Sequence, residues 1–455
     1  MQVFERYVSP HEFLVFAFEI LLIPGALIVA VLLQQPAGAP DLLWKVLPAA
    51  VLCQLCLYYN DFYDLRLVHT GSELLVRLIQ AVGATTLTLG IVYLVVPSLA
   101  IHPAAVLRSL TVLGLTVLAW RLLFNRLVTA SPLVENTIVV GTGGAARVVA
   151  AELVAEHAFA YRVLGFVDDR HDALDLPGRL PLLGTVHDLD SLVRTEGVHR
   201  LIVALPDRGV SLPAEQLVAA QLAGVTIEDA VAAYERLTGK VLLEELKLST
   251  LVFAQGFNVS RRRRFVKRAS DLIFSALALL VASPLIFLTA LAVWILSGRP
   301  VLYRQERVGQ HESQFTLYKF RSMRLDAEAS GPVWASANDG RVTAIGRFIR
   351  LTRIDELPQL WNVLMGHMSF VGPRPERPFF VRELGAQVPF YHLRHAVKPG
   401  ITGWAQVRYR YADSFESAVE KLRYDLYYVK HMSTAFDMTI VIDTVKTIVR
   451  RMGSH

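Results

Sequence analysis

Cysteine and charge are both scarce in this 455-residue chain, and each shortage narrows what the protein can be. The two cysteines, Cys53 and Cys56, lie inside an apolar run without the context of a redox motif, so we interpret them as small buried residues of a helix. Charged residues make up only 19% of the chain and hydrophobic residues 53%, which is too apolar for an ordinary soluble protein. We therefore expect segments that enter a membrane.

The charge that is present is positive, with a net value of +6. This sign suits a protein that works against anionic lipids or anionic substrates. No basic stripe with interleaved aromatic residues is found, so we expect no nucleic acid as a partner.

Four apolar stretches, at 12–33, 43–60, 74–96 and 105–124, occupy most of the chain before Ala130. Each is close to the roughly 20 residues that cross a bilayer. The first lacks a basic leading segment and is followed directly by further apolar stretches, so it is not expected to be a cleaved signal. If the four stretches cross the membrane, the basic residues near their ends divide unequally between its two sides. One side would hold Arg6, Arg66, Arg77, Arg121 and Arg126, and the other would hold Lys45 and Arg108. This asymmetry predicts that both ends of the four-span bundle face the cytoplasm.

A polar segment with α/β character follows the apolar stretches. The run "NTIVVGTGGAARVVAAELVAE" is typical of a strand, a glycine turn and a helix, and "RLIVALPD" predicts a later buried strand of a parallel sheet. Gly141, Gly143 and Ala146 approximate the G-x-G-x-x-G/A pattern, which places a phosphate at a helix N-terminus. The same turn also serves simply to pack a helix on a strand, and we favour this structural or regulatory interpretation, with no nucleotide cofactor implied.

A fifth apolar stretch, residues 272–296, has basic residues on both flanks. They are Arg261 to Arg264, Lys267 and Arg268 before the stretch, and Arg299, Arg304 and Arg307 after it. If positive charge marks the cytoplasm, both ends belong on the same side. Ser283 and Pro284 lie near the middle, where proline removes a backbone hydrogen bond and bends a helix. We favour a re-entrant helix that returns to the same side over a kinked fifth span.

The C-terminal part contains two adjacent acids, Asp355 and Glu356. Pro358 is tolerated only in the first turn of a helix, so a helix is predicted to begin near Glu356 or Leu357, with both acids at its N-terminus. Acids in that position stabilise a helix by about 0.3–1 kcal/mol each without any catalytic role, so the pair alone leaves a structural role open.

Cationic residues in stiff loops surround the acid pair in the sequence. Arg374 lies between two prolines in "VGPRPERP", Arg394 and Lys398 precede a glycine-rich turn, and Lys319 and Arg321 are two residues apart in a strand-like run, which would point both to one face. Cations around two carboxylates suit phosphate chemistry with a divalent metal.

Four motifs, "KRASDLIFSALALLVASP", "KFRSMRLDAE", "RIDELPQLWNVLMGHMSFVGPRPERP" and "RHAVKPGITGWAQVRY", resemble the bacterial sugar transferase family of monotopic phosphoglycosyl transferases. They occur in order between Lys267 and Tyr409, which makes the resemblance specific. The preceding bundle and α/β segment resemble the long undecaprenyl-phosphate glucose or galactose phosphotransferase type. The variants "DFYDLRL", "RPERPFF" and "RYDLYYVKH" resemble the branch linked to exosortase-type exopolysaccharide clusters.

The resemblance implies transfer of a sugar 1-phosphate from a UDP-sugar to undecaprenyl phosphate with release of UMP, as the first step of exopolysaccharide or other surface glycan assembly. It implies that Asp355 is a covalent nucleophile and that Glu356 either holds Mg²⁺ (or Mn²⁺), together with Asp355, or assists the acceptor phosphate. The residues that it implies for phosphate binding are Lys319, Arg321, Arg353, Arg374 and Arg394. Ser283 and Pro284 match the helix break of the family, and Lys267, Arg268 and Asp271 match its motif at the membrane edge. His367 stands where the family commonly has Asp, and we assign it no role.

The expected fold class is membrane α plus α/β, in three parts. Residues 1–130 form a four-helix transmembrane bundle, residues 131–257 a Rossmann-like α/β domain, and residues 258–455 a catalytic domain with a re-entrant helix at about 267–296. The expected partners are a UDP-sugar, undecaprenyl phosphate and the lipid bilayer of the bacterial inner membrane, with the catalytic domain on the cytoplasmic face and a homodimer left open. The alternatives are a membrane-bound nucleotide-sugar oxidoreductase or dehydratase, and a non-catalytic membrane scaffold.

Overall fold

A computed structural model describes most of the chain in two compact units, which divide between Ala233 and Tyr234. The described residues are 2–3, 6–7, 10–32, 42–63, 71–101, 103–129, 134–156, 161–169, 180–204, 213–246, 261–327, 340–409 and 414–449. Arg66, which contributes to the predicted charge asymmetry, lies outside them.

Four helices form the first part of unit one, after two short strands, β1 (Gln2–Val3) and β2 (Arg6–Tyr7). The helices are α1 (Pro10–Leu32), α2 (Leu42–Tyr59), α3 (Gly71–Val95) and α4 (Pro103–Thr129). One apolar core joins all four, so the prediction of four helices in this region is confirmed. The apolar segments Ser72–Val95 of α3 and Val106–Phe124 of α4 are long enough to cross a membrane. The apolar segments of α1 and α2, Phe16–Val29 and Trp44–Tyr59, are shorter.

The second part of unit one is a parallel sheet with helices, as predicted. Its strands are β3 (Glu135–Val140), β4 (Tyr161–Val167), β5 (Leu182–Gly184), β6 (Arg200–Val203) and β7 (Thr226–Asp229), in the spatial order β5-β4-β3-β6-β7. The helices are α5 (Gly144–Glu156), α6 (Leu189–Thr195), α7 (Ala214–Leu222) and α8 (Ala230–Thr238), the last of which extends across the boundary into unit two.

The glycine turn after β3 forms hydrogen bonds with the side chain of Asp168, the residue that follows β4. Gly141 has a φ of 99°, a left-handed conformation that glycine adopts without steric cost. The carboxylate of Asp168, which follows β4, accepts hydrogen bonds from the backbone N–H of Thr142 at 2.8 Å and from its hydroxyl at 2.6 Å. The turn is therefore stabilised by a side chain of the same domain.

The long helix of unit two is α9 (Arg261–Ser297), which has 37 residues and is also long and apolar enough to cross a membrane. The helix is continuous through Pro284. Its buried residues fall in two groups, Asp271 and Ser275 in the first half and Thr289 and Val293 in the second. No residue between these two groups is buried.

The rest of unit two is a small mixed domain around two short sheets. The antiparallel pair is β8 (Leu302–Val308) with β9 (Gln314–Phe320), and the parallel pair is β10 (Ser369–Val371) with β11 (Gly400–Thr402). Its helices are α10 (Ala344–Leu351), α11 (Gln359–Met365), α12 (Pro378–Gln387), α13 (Trp404–Arg408), α14 (Phe415–His431) and α15 (Thr434–Val449).

The segment that precedes α9 in the described chain, residues 234–246, packs on this domain. Val241 and Leu242 are buried, and Val241 belongs to the same core as Trp404. The indole Nε1–H of Trp404 donates to the carbonyl of Gly239 at 2.8 Å. The compact unit therefore starts near Tyr234, well before the boundary predicted at residue 258, because these contacts join positions far apart in the sequence.

Candidate active site

The acid pair lies in a single turn of 3-10 helix, Ile354–Glu356, between α10 and α11. Arg353 enters this turn with a left-handed φ of 56°, which reverses the chain after α10. The predicted helix begins at Gln359, two to three residues later than expected from the sequence. Pro358 has helical backbone angles but no N–H donor, and it precedes the first helical residue. Asp355 and Glu356 therefore lie one turn before the helix rather than within its first turn.

Glu356 is held by three cations. Its Oε1 atom lies 3.2 Å from Nζ of Lys319 and 3.0 Å from Nη2 of Arg374, and its Oε2 atom lies 3.7 Å from Nη1 of Arg353. Burial favours the protonated form, but Lys319, Arg374 and Arg353 outweigh it and hold the pKa of Glu356 well below its usual range. Glu356 is thus a permanent anion that orders the cations around it.

Asp355 is in the opposite situation. Its side chain is buried, and among the residues that the structure describes no hydrogen bond or ion pair holds its carboxylate. Burial and the neighbouring charge of Glu356 raise the pKa of Asp355 to about 6, against the opposing effect of Lys319, Arg350 and Arg374. Two adjacent carboxylates with pKa values pushed apart are suited to different roles.

The loop that carries Arg374 is fixed through its backbone. Its carbonyl groups accept hydrogen bonds from two guanidinium groups. The buried Arg394 donates to the carbonyl of Arg374 at 3.0 Å, and the half-buried Arg307 donates to that of Pro375 at 2.9 Å. Arg394 also forms an ion pair of 2.7 Å with Asp425. Arg394, which is predicted to bind phosphate, thus positions the loop. Of these two arginines, Arg374 is the one that contacts the acid pair.

Arg321, also predicted to bind phosphate, lies elsewhere. Strand β9 ends at Phe320, so the alternation that would give Lys319 and Arg321 a common direction ends before Arg321. Its guanidinium donates to the backbone carbonyls of Ser297, Gly298 and Arg299 at the end of α9. It therefore caps the C-terminal end of the apolar helix, where a cation compensates the helix dipole.

The predicted motif at the membrane edge joins the start of α9 to the strand that leads to Arg374. Lys267 donates to Asp437 at 2.7 Å and to the carbonyl of Val371 at 3.0 Å. Asp271 accepts from the hydroxyl of Ser369 at 2.9 Å.

Two further members of the membrane motifs have different surroundings. Arg268 donates to the carbonyls of Val363 and Leu364 at the end of α11, at 2.6 and 2.8 Å. Ser283 and Pro284 are exposed in the middle of α9, and the Ser283 hydroxyl donates to the carbonyl of Leu280.

A divalent metal, implied by the resemblance, fits Asp355 better than Glu356. Among the described residues no group of three or more His, Cys, Asp or Glu side chains converges on a metal position. Mg²⁺ commonly takes one or two carboxylates and completes its shell with water and substrate phosphate oxygens. Asp355 forms no ion pair with a cation in the described part of the chain, whereas both oxygens of Glu356 face cations.

Sequence reasoning missed Asp425 and Arg307, which position the site indirectly. Asp425 is buried in "RYDLYY" on α14 and is the anionic partner of Arg394. An acid among aromatic residues on a helix indicates a buried cation nearby, so that run contains a signal for the pair. Arg307 was identified only as a basic flank of α9, and nothing in its local pattern indicates its bond to Pro375.

Comparison with known proteins shows which families and proteins the chain is similar to. Residues 262–451 match the family described as bacterial sugar transferase, and residues 59–209 match a family described as CoA-binding domain. A UDP-N-acetylgalactosamine-undecaprenyl-phosphate N-acetylgalactosaminephosphotransferase of Aeromonas hydrophila is 41% identical over 221 residues, covering 49% of this chain and 52% of the relative. A UDP-glucose:undecaprenyl-phosphate glucose-1-phosphate transferase of Escherichia coli is 41% identical over 205 residues, covering 45% and 44%.

The similarity to a third relative extends beyond the C-terminal domain. An undecaprenyl-phosphate galactose phosphotransferase of Salmonella typhimurium is 32% identical over 344 residues, which cover 70% of this chain and 69% of the relative. The chain spans about half the length of the first two relatives. Because the family match contains the acid pair and its cations, and because the similarity to the Salmonella relative covers more than two thirds of both chains, the chain belongs to the bacterial sugar transferase family.

Proposed function

We propose that the protein transfers a sugar 1-phosphate from a UDP-sugar to undecaprenyl phosphate, releases UMP, and so begins the assembly of a surface glycan. The observation that carries this proposal is the contrast within the acid pair. Asp355 is a buried carboxylate without a charged partner among the described residues, and Glu356 beside it is bound by Lys319, Arg374 and Arg353. The reactions named for the relatives support the same assignment.

In the proposed reaction, a carboxylate oxygen of Asp355 attacks the β-phosphorus of the UDP-sugar. The bond between this phosphorus and the bridging oxygen of the diphosphate breaks, and UMP leaves with the electron pair. A phosphate oxygen of the lipid acceptor then attacks the same phosphorus and displaces the Asp355 carboxylate. Two displacements of this kind divide one difficult step into two easier ones.

The cations that hold Glu356 have a second role in this scheme. Lys319 and Arg374 lie half-buried beside the acid pair, where their charge is screened less by solvent than that of a fully exposed cation. Since Glu356 fixes both before substrate arrives, they stabilise the charge that develops on the phosphate oxygens without reorganising. A divalent ion bound at Asp355 and the substrate phosphates would supply further neutralisation of negative charge.

We propose that α1 to α4 lie in the bacterial inner membrane and that α9 enters it from the cytoplasmic face and returns. Both halves of α9 contact the same domain, through the hydrogen bond between Asp271 and Ser369 near the start and through Val293, which packs in one core with Phe320 and Ile349, near the end. Between these contacts apolar side chains such as Leu280 and Val281 are 72% and 74% exposed, which suits contact with lipid. A helix that returns to the same side keeps the catalytic domain in the cytoplasm, where UDP-sugars are available.

Release of UMP by the purified full-length protein, measured with undecaprenyl phosphate across a panel of UDP-sugars, tests the reaction. We expect UMP with at least one donor and none from Asp355→Asn. With donor alone, the peptide that contains Asp355 should gain the mass of one phosphosugar. An adduct on another peptide would disprove the covalent role, and no UMP with any UDP-sugar would disprove the reaction.

A further inference from the structure

The side-chain amide of Gln359, the first residue of α11, is buried without a hydrogen-bond partner. Gln359 is 3% exposed, and no group in the described part of the chain pairs with its Nε2 atom. Most buried donors in folded proteins have a partner, because leaving one unpaired is unfavourable. The unpaired amide is therefore a candidate for binding a group from outside the chain.

The contacts of the neighbouring turns place this amide beside the acid pair. Strand β9 packs both on the turn that holds the acid pair and on α11. From that strand, Nζ of Lys319 lies 3.2 Å from Glu356. The residue before it, Tyr318, donates its backbone N–H to the side chain of Asn362 at 3.1 Å. Gln359 is three residues after Glu356 and three before Asn362, so these side chains lie on one side of the helical chain and face the end of β9.

The direction of the helix aims the amide at the acid pair. The Cα–Cβ bonds of a helix tilt toward its N-terminus, so a side chain covers the turn that precedes its own residue. That turn holds Asp355, four residues before Gln359, and Asp355 also has no hydrogen bond or ion pair among the described residues. The two groups do not bond to each other, which leaves the donor available to a group that binds at Asp355.

The phosphoryl group of the proposed reaction is such a group. When the Asp355 carboxylate attacks the phosphorus, negative charge develops on the phosphoryl oxygens, and an N–H group that is already in place stabilises this charge. An amide is neutral, so it donates to the phosphoryl group without forming an ion pair with the attacking carboxylate. A neutral donor therefore suits the Asp355 side of the site, as the cations suit the Glu356 side.

We infer that Gln359 is a further catalytic residue, whose side-chain N–H donates to a phosphoryl oxygen of the sugar phosphate while this group is transferred to and from Asp355. The inference rests on the proposed function, because it assigns the donor to the phosphoryl group of that reaction. Since the same phosphorus is attacked in both displacements, the donor acts in formation of the covalent intermediate and in its transfer to the lipid acceptor.

Gln359→Met in the full-length protein tests the assignment through two readouts that a purely structural role would move together. Met has a similar length but no N–H donor. We expect kcat for UMP release to fall by about 100- to 1000-fold with little change in KM for the UDP-sugar, as for the loss of one preorganised donor. The thermal unfolding midpoint should stay the same or rise, because the variant no longer buries an unpaired donor. Retention of the wild-type kcat, or a clear fall in the midpoint, would overturn the inference.

Two other amides provide matched controls. Asn362, on the same side of α11, uses both of its polar atoms: it accepts from the N–H of Tyr318 at 3.1 Å and donates to the carbonyl of Thr316 at 2.7 Å. Asn362→Leu should therefore lower the unfolding midpoint, as expected for the loss of a satisfied amide. Gln387→Met, at an exposed position of α12, should match the wild type in both readouts. An equal loss of kcat in Gln387→Met would contradict a specific role of Gln359.

Gln359→Glu separates donation from acceptance. At pH 8 an ionised Glu keeps nearly the same shape but only accepts hydrogen bonds, so this variant should be at least as inactive as Gln359→Met. Wild-type turnover in Gln359→Glu would show that the side chain accepts from the substrate, and the donor role would be wrong. If the wild type releases no UMP from any UDP-sugar, the proposed function itself fails. If the wild type is active and Gln359→Met is equally active, only this inference fails.

Discussion

The Nη2 atom of Arg374 lies 3.0 Å from the Oε1 atom of Glu356, although the two residues belong to different segments of the chain. This ion pair gives the two adjacent acids different environments. Glu356 stabilises a cluster of half-buried cations, and Asp355 remains a carboxylate without a charged partner among the described residues. The following predictions depend on that difference.

Replacing Asp355 with Asn should abolish UMP release and raise the unfolding midpoint by a few degrees at pH 8. Asn keeps the shape of the side chain but removes a buried charge that faces Glu356, so the folded state loses an unfavourable interaction. Thermal unfolding and UMP release, measured on one preparation, check both effects. Asp326→Asn, at an exposed acid, is the matched control and should change neither. A lower midpoint for Asp355→Asn would show that this carboxylate is stabilised in the folded protein.

Replacing Glu356 with Gln should have the opposite effect on stability. The anion that compensates Lys319 and Arg374 disappears, and leaving these half-buried cations without their partner should lower the free energy of unfolding by about 1–3 kcal/mol. The change in the free energy of unfolding, measured by denaturant titration, checks this. Glu383→Gln on the exposed face of α12 is the control and should leave stability unchanged. Equal stability of the Glu356 and Glu383 variants would mean that the cations do not need this anion.

Activity should fall on the acidic side of pH 6. The pKa of Asp355 is raised to about 6, so the carboxylate takes up a proton as the pH falls through that value and loses its nucleophilic form. At lower pH, kcat/KM should decrease by about tenfold per pH unit, because this quantity reports the ionisation of the free enzyme. The measurement is a pH profile of kcat/KM at saturating lipid acceptor. A profile that stays flat down to pH 4.5 would place the ionisation of Asp355 much lower.

Local patterns predicted the elements of the fold well. The apolar stretches became α1 to α4 and α9, and the strand and glycine-turn pattern became a parallel sheet. Each of these features depends on residues close together in the chain, where hydrophobic length and turn chemistry are informative.

The contacts around the acid pair were predicted less completely, because they are formed by residues far apart in the sequence. Lys319 reaches Glu356 from 37 residues away, whereas Arg321, only two residues further on, turns to the end of α9. Arg394 is bound by Asp425, 31 residues later, and this burial turns a candidate phosphate ligand into a positioning residue. Motif resemblance identified the right region, but only the tertiary contacts separate residues that face the acid pair from those that support it.

The position of the domain boundary gives the last prediction. A chain that starts at Tyr234 should keep a higher unfolding midpoint than one that starts at Asn258. Only the longer chain contains Val241 and Leu242, which are 1% and 2% exposed, and burying such a side chain contributes about 1.5–3 kcal/mol. Thermal unfolding of the two shortened proteins in the same detergent checks the order.

The full-length protein offers an independent test of the same contact. Trp404→Phe keeps an aromatic ring but removes the Nε1–H group that donates to the carbonyl of Gly239. It should lower stability by about 0.5–1.5 kcal/mol, the usual net contribution of one hydrogen bond. Trp361→Phe, at an exposed tryptophan on α11, controls for the loss of an indole and should have a smaller effect. If the two shortened proteins unfold at the same temperature and Trp404→Phe is neutral, residues 234–246 lie on the domain without stabilising it, and the boundary near residue 258 is the better description.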